Sequence, residues 1–463
     1  MEHDEQGLAL STTSAAAATA YRKAVRHVLE YRLDAPTHMA AALEADPDFV
    51  MGHCLKGLMM LGAQSTRVLD DVRPALDAAE ARLNGATDRE RANVAALRAL
   101  YEGDKRKASA IYEALLTEDP TDLFALRQVT HALFWTGRSN DLRDYVAAVL
   151  GGWDEKTPGY GNVLGMYAFG LEESGEYAAA EANGKRAFEI SNDDLWALHA
   201  VAHVMEMQGR LDDGVEWLTR PQDMWDDRNP FKGHLWWHLS LFHLERGEYD
   251  RVLAFYDDSV RTDDSDFYIT IQNAASLLMR LEFLGVDVGE RWAALADTCE
   301  SRVGDLGLAF TTAHDMIALA MDGRTEAAGR LMESLRNYAQ QPPENTTASV
   351  MAPVAIPLCD AIGAYGRGDY AMAADLLTPL RADFVRTGAS HAQRDLFSQL
   401  LIESTIRAGR TKQARALLSS RVRAKPHGVG GWAKYADALG ELGDDVGAEA
   451  ALEHAAHYSV QAD

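Results

Sequence analysis

A glycine followed by a charged residue recurs along this chain, each time after an apolar helical stretch and before an alanine- and leucine-rich one. It stands at Gly103-Asp104, Gly137-Arg138, Gly175-Glu176, Gly209-Arg210, Gly247-Glu248, Gly323-Arg324, Gly368-Asp369, Gly409-Arg410 and Gly443-Asp444, with Gly285 a looser member. The steps 103→137, 175→209 and 409→443 are 34 residues; 137→175, 209→247, 247→285 and 285→323 are 38. A period of 34 is that of tetratricopeptide helix pairs, and four more residues add one helical turn. Glycine supplies the left-handed conformation that ends the first helix of each pair. Small residues in GEYAAAEANGKRAFEI and GDYAMAADLLTPL let the second helix pack closely, and Asp46-Pro47 and Asp119-Pro120 stop it. No β-branched alternation is sustained. The pattern predicts an all-α fold: a tetratricopeptide-like α-solenoid, a right-handed superhelix of about ten helix pairs.

Three regions are expected within it. Residues 1–14 read as a flexible tail, 15–341 as the array carrying a histidine cluster, and 342–463 as further repeats of the same array. Pro342, Pro343, Pro353 and Pro357 make Gln340–Pro357 a stiff connection that divides the array. Gly151–Gly165 and Thr219–Lys232 read as long loops, and the last few residues as a loose end. Gly159-x-Gly161 has no strand before it, so it is not a dinucleotide fingerprint.

Acidic residues outnumber basic ones 70 to 45, for a net charge of −25. Such a surface repels phosphate backbones and anionic lipid, which argues against nucleic acid or membrane as partner. The opening MEHDEQ lacks a basic n-region, and no stretch approaches the uninterrupted apolar length of a membrane span. Cys54, Cys299 and Cys359 are scattered and odd in number, as expected of reduced thiols in a cytoplasmic protein.

Long phrases spread over most of the chain carry a resemblance: GLALSTTS, DPDFVMGHCLKGLMML, GYGNVLGMYAFGLEESGEY, WALHAVAHVMEMQGRLDDGVEWL, HLWWHLSLFHLERGEY, HDMIALAM and GASHAQRDLFSQLL. In these the chain resembles the tetratricopeptide repeat protein 38 family. The resemblance implies a helical-repeat, cytosolic, non-membrane protein, and carries over no catalytic residue.

Histidines are the chemistry-bearing feature. His199 with His203, and His234 with His238, are spaced i, i+4, so each pair shares one helix face. Counted back from the turn glycines, His238 and His314 lie nine residues before, His131 and His203 six, and His199 ten. Imidazoles at related heights of successive first helices are expected to face one hollow, joined by His391 with Gln393, Arg394 and Asp395 beside it. Trp196, Trp225, Trp236, Trp237 and Phe242 would wall such a pocket, and the adjacent Trp236 and Trp237 must point apart.

Three uses of this set stand side by side. His199, His203 and His238 suit a divalent metal such as zinc, with Glu206 or His314 as alternative ligands, although H-E-x-x-H is absent because Ala-Val-Ala lies between His199 and His203. No other cofactor is expected. Without metal, His203, His238, Glu206, His314 and His391 are candidate proton-transfer groups, with Asp315 beside His314 and Arg394 as a bidentate anchor. The third use is structural, each imidazole bonding a neighbouring helix. A G-x-S-x-G elbow is missing, and Ser390 adjoins His391 too closely for a nucleophile and base. Asp226-Asp227-Arg228, RTDDSD at Arg261–Asp266 and the basic Arg415–Lys425 read as solvated segments. The leading expectation is a protein binding a peptide or small molecule in a histidine-lined concave pocket, with His199, His234, Trp196, Trp237, Asp315, Gln393, Arg394 and Asp395 as contacts. The alternative is an enzyme using the histidines for hydrolysis or another proton transfer. Homo-oligomers through the array ends are compatible with either.

Overall fold

A computed structural model describes residues 1–459 apart from Pro221 and Asp226. The loose end expected over the last few residues, and Asp226 of the acidic loop, lie outside the described residues. The chain is an α-solenoid of tetratricopeptide-like helix pairs. All ten turn glycines sit at positive φ, between 67° and 84°, as the period requires. Two more pairs precede them, Ala15–Leu29 with Ala35–Ala45 and Val50–Leu61 with Leu69–Ala81, so the array is longer than the glycine period alone implies. Asp46 and Asp119 are the C-caps before the prolines.

Seven first helices line the interior: α1 (Leu123–Trp135), α2 (Tyr160–Glu173), α3 (Leu195–Gln208), α4 (Phe231–Glu245), α5 (Tyr268–Phe283), α6 (Ala309–Met321) and, far along the chain, α7 (His391–Arg407). A helix exposed on one side buries a stripe; α3, α4 and α5 instead bury residues all round, the mark of central helices. What surrounds them is the array itself, wound tightly enough that one turn touches the next. Ser65 Oγ donates to Asp305 at 2.7 Å across 240 residues, the Thr346 amide to the Gly103 carbonyl at 2.9 Å, and the His391 amide to Glu173 at 2.8 Å. Two glycines permit this closeness: a Cβ on Gly137 would strike the Val385 carbonyl, and one on Gly307 the Gln64 carbonyl. The open concave groove of an extended superhelix is therefore replaced by a closed interior.

Several local expectations need correction. Residues 1–14 are not a loose tail: β1 (Glu2–His3) pairs antiparallel with β2 (Ala9–Leu10), Leu10 is fully buried, and Asp4 meets the Arg89 guanidinium at 2.9 Å. Tyr160–Glu173 is helical, so the glycine-rich loop ends at Gly159. Pro353 and Pro357 lie in a continuous helical run, Ala348–Gly366, whose π-helical turn Met351–Ala355 absorbs the missing amide. That run is 19 residues long with mean hydropathy 1.4, long and apolar enough to cross a membrane; its Met351, Val354, Leu358, Cys359 and Ile362 are buried in the array core. The same core cluster extends from Trp135 to Ala438, so the proline segment divides nothing. Arg228, in the acidic loop, is buried and bonds Asp193 at 2.7 Å rather than being solvated.

Closure predicts a contrast between two glycines. Gly307→Ala should cost about 2–3 kcal/mol, because backbone of the facing turn must move. Gly329→Ala, exposed in mid-helix with nothing nearby, should gain about 0.5–1 kcal/mol. Urea melts of the two variants check both signs; equal effects would contradict the closure.

Candidate functional site

The site is made by α3 and α4. Asp194 caps α3, accepting from the Trp196 and Ala197 amides at 2.9 and 3.1 Å, and Gly209 at φ 67° ends it. Fixed at both ends, α3 turns His199 and His203 toward α4, which answers with His234 and His238. One ring nitrogen from each of the four lies within 4.8 Å of the others. Ring centroids are 4.4 Å apart for His199–His203, 4.5 Å for His203–His238, 4.7 Å for His234–His238 and 5.0 Å for His199–His234. All four side chains are buried.

Three of the rings turn Nδ1 toward a side-chain oxygen. His234 Nδ1 faces Asn273 Oδ1 at 2.8 Å, His238 Nδ1 faces Glu206 Oε2 at 3.0 Å, and His203 Nδ1 points at Glu172 Oε2, 3.5 Å away. An imidazole donating through Nδ1 presents the lone pair of Nε2, so His234 and His238 aim acceptors inward. Nε2 of His203 and His199 are 2.9 Å apart. Burial, reinforced by the neighbouring imidazoles, drives His199 and His238 well below their ordinary pKa; burial also lowers His234 to about 4. His238 Nε2, His199 Nδ1 and His203 Nδ1 have no hydrogen-bond partner among the described residues. Unsatisfied buried groups of this kind cost about 1–3 kcal/mol each, so a purely structural role leaves the tetrad poorly accounted for.

Behind His203 the carboxylate of Glu172, fully buried, links outward to His391: Glu172 Oε1 lies 2.6 Å from His391 Nε2. Burial alone would raise the Glu172 pKa, but His391 and His203 outweigh it and hold the carboxyl low. Burial would lower His391, and Glu172 and Glu173 instead lift it to about 9. Glu172, Glu173, His203 and His391 form a second cluster with metal-ligating atoms close together. A third, His27, Asp34 and His38, lies toward the surface and apart from the interior.

Not every expected residue joins. His314 does not share the hollow: its Nδ1 bonds the Phe310 carbonyl at 2.8 Å and its ring packs on Phe310 and Phe397. Asp315 lies beside Arg302, 3.5 Å away, and Cys299 rather than in the pocket, with burial raising its pKa to about 7. Arg394 is spent on the Ala389 carbonyl and Glu173, so it offers no free fork. Gln393 closes the capping box of α7 with Ser390 and reaches the cavity described below. Trp237 stacks on His234 at 5.1 Å and 9°, while Trp236 turns away to Trp225 and Phe255. Trp225 and Phe242 are core residues of the α3–α4 layer.

Two cavities flank the tetrad. One, of about 80 Å³, is lined by His199, His234, Trp196, His131 and Gln393, and by residues not anticipated from the sequence, Tyr31, Arg127, Phe169 and Tyr268. The other, of about 300 Å³, is charged and includes Glu206, Arg280, Asp395, Arg421 and Lys425. Asp395 there accepts from Arg421 at 2.6 and 3.2 Å.

No family model matches the chain. Among solved structures, the human IFIT1 dimer with m7Gppp-AAAA is 14% identical, with 98% of this chain and 91% of that chain covered and a TM-score of 0.35. The human IFIT1 dimer with PPP-AAAA is 13% identical over 89% and 91%, TM-score 0.39. A structure of Naa15/Naa10 bound to HypK-THB is 13% identical over 96% and 63%, TM-score 0.27. Likeness at this level is confined to the general arrangement of helices.

The charged cavity yields a pH test. Burial pushes the Asp395 carboxyl up, but Arg421 and then Lys425 outweigh it and hold the pKa below its ordinary value. Its stabilisation is therefore complete above the unfolded pKa of about 3.9 and is lost as pH falls toward the folded value. Asp395→Asn should cost about 2–4 kcal/mol at pH 7, because Arg421 loses its partner. In urea melts the gap from the parent protein should be narrower at pH 3; the same gap at both pH values would contradict the assignment.

Proposed function

We propose that this chain is a metal-holding, small-molecule-binding helical-repeat protein, in which His199, His203, His234 and His238 grip one divalent cation beside a cavity. The observation that carries this reading is the convergence of four buried imidazoles with three outer nitrogens turned to Asn273, Glu206 and Glu172. Outer partners of that type orient metal-ligating histidines and fix their tautomers. Imidazole nitrogens suit zinc among other divalent transition metals. His234, expected only as a ligand contact, becomes the fourth metal ligand; Glu206 moves to the outer layer, and His314 has no part.

A small molecule fits better than a peptide because contacts between successive superhelical turns enclose the interior. Trp196, Trp237 and Gln393 remain proposed contacts or supports of the pocket, and Asp395 belongs to the charged cavity next to it. The acidic balance of the chain supports a cytoplasmic setting without nucleic acid or membrane as partner. The long shared phrases support a place in the tetratricopeptide repeat protein 38 family, with the array continuous from residue 15 to its C-terminal repeats. Nothing in the proposal needs a second copy.

One arrangement favours an enzyme as the second reading. Glu172 joins His203 to the partly exposed His391, a route by which a proton can leave the interior. Four imidazoles fill a tetrahedral shell, whereas catalytic zinc keeps an open position, so the binding role takes precedence.

Protein purified without a histidine tag should carry about one zinc-like ion per chain by elemental analysis. His203→Ala and His238→Ala should lose it while keeping their helical content, and Asn273→Ala should weaken it about 10- to 100-fold. A metal-free parent protein whose melting temperature zinc does not raise would refute the proposal.

A further inference from the structure

The cavity beside the tetrad is lined by one arginine. Arg127, projecting from α1, lines it together with Tyr31, Phe134, Trp196, Phe231 and Tyr268. The Arg127 guanidinium lies close enough to Tyr31, Tyr268 and His131 to act on their charge states. No carboxylate among the described residues forms an ion pair with it. That is unusual in a chain with 70 acidic residues, most of whose arginines hold a carboxylate. The single carboxylate lining this cavity is Asp194, and its oxygens already accept from Asn162 and two backbone amides. Burial raises the Asp194 pKa to about 7, so it opposes an incoming anion only weakly at lower pH. His131, pushed down by burial, adds no charge near neutrality.

The backbone at the cavity wall is also strained. Tyr31 has φ 59°, a conformation costly for a side chain of that size, and its ring stacks on Phe231 at 4.2 Å. The Asn229 amide holds the Tyr31 carbonyl at 2.7 Å, so the turn is clamped where it covers the cavity.

We propose that this cavity binds a short aliphatic monocarboxylic acid, its carboxylate on the Arg127 fork and its apolar tail among the aromatic rings, pointing toward His199 and His234. Arginine presents paired N–H donors matched to a carboxylate. A space of about 80 Å³ is smaller than the roughly 150 Å³ that takes benzene, which sets the size limit below an aromatic acid. The proposal rests on the small-molecule reading above and names the class of molecule for that same cavity.

Butyrate, butyramide and benzoate serve as probes in calorimetry on tag-free, metal-loaded protein at pH 6.5. Butyrate should bind at least tenfold more tightly than butyramide or benzoate. Arg127→Gln should weaken butyrate at least tenfold without changing metal content, and Arg127→Lys, which keeps the charge but not the fork, should recover part of the loss. Failure of butyrate to bind, equal binding of butyramide, or full binding by Arg127→Gln would overturn the proposal. The parent protein separates the two ideas: butyrate binding through Arg127 in protein that never holds metal defeats only the metal centre. A metal-loaded protein that ignores butyrate defeats only the acid site.

Discussion

Four imidazoles can be crowded into a protein core only if water is kept away from them and something else uses their nitrogens. Here the exclusion of water comes from the superhelix meeting itself. α7 lies against α2 and α5, from which it is separated by more than a hundred residues: the His391 amide holds Glu173, and Arg280 on α5 donates to the Ala392 carbonyl at 3.1 Å. Repeat arrays ordinarily depend on contacts between neighbouring units alone. These contacts skip many units, and they turn what would be a groove into a closed interior whose centre is the tetrad.

Burial then dictates the chemistry. A desolvated imidazole gives up its proton, and a neutral one with its Nδ1–H committed has a single lone pair left to offer. Asn273 and Glu206 make that commitment for His234 and His238, so the direction of the lone pairs follows from second-layer groups on α5 and α3. Glu172 stands between the tetrad and His391, a carboxylate kept ionised against its burial by the imidazoles on either side. Arg127 and the strained Tyr31 belong to the opposite wall, where the interior is apolar and meets a cavity instead of a charged network.

Much of the scaffold is legible in the residues because each turn must solve the same problem. A helix reversing into its partner needs a left-handed residue, and Gly103, Gly175, Gly209 and the others mark it at near-constant spacing. The i, i+4 pairs are equally legible, since helix geometry alone puts His199 with His203 and His234 with His238. Height above the turn glycine is a weaker guide: His314 has the same register as His238, yet the Phe310 carbonyl takes its Nδ1. Glu172 was within reach of that register, standing three residues before Gly175 as Glu206 does before Gly209. The winding was not. It depends on the fit of Gly137 to Val385 and Gly307 to Gln64, pairs some 240 residues apart, and no local pattern announces them. Arg127 lacks a sequence signal for the same reason, because only the packed interior reveals that no carboxylate among the described residues pairs with it.

X-ray absorption at the metal edge of the loaded protein tests the central claim most directly. The account predicts a first shell of four nitrogens at about 2.0–2.1 Å with the outer-shell pattern of imidazole rings. A shell dominated by oxygen, or one with only two imidazoles such as the surface group of His27, Asp34 and His38 would give, would contradict it.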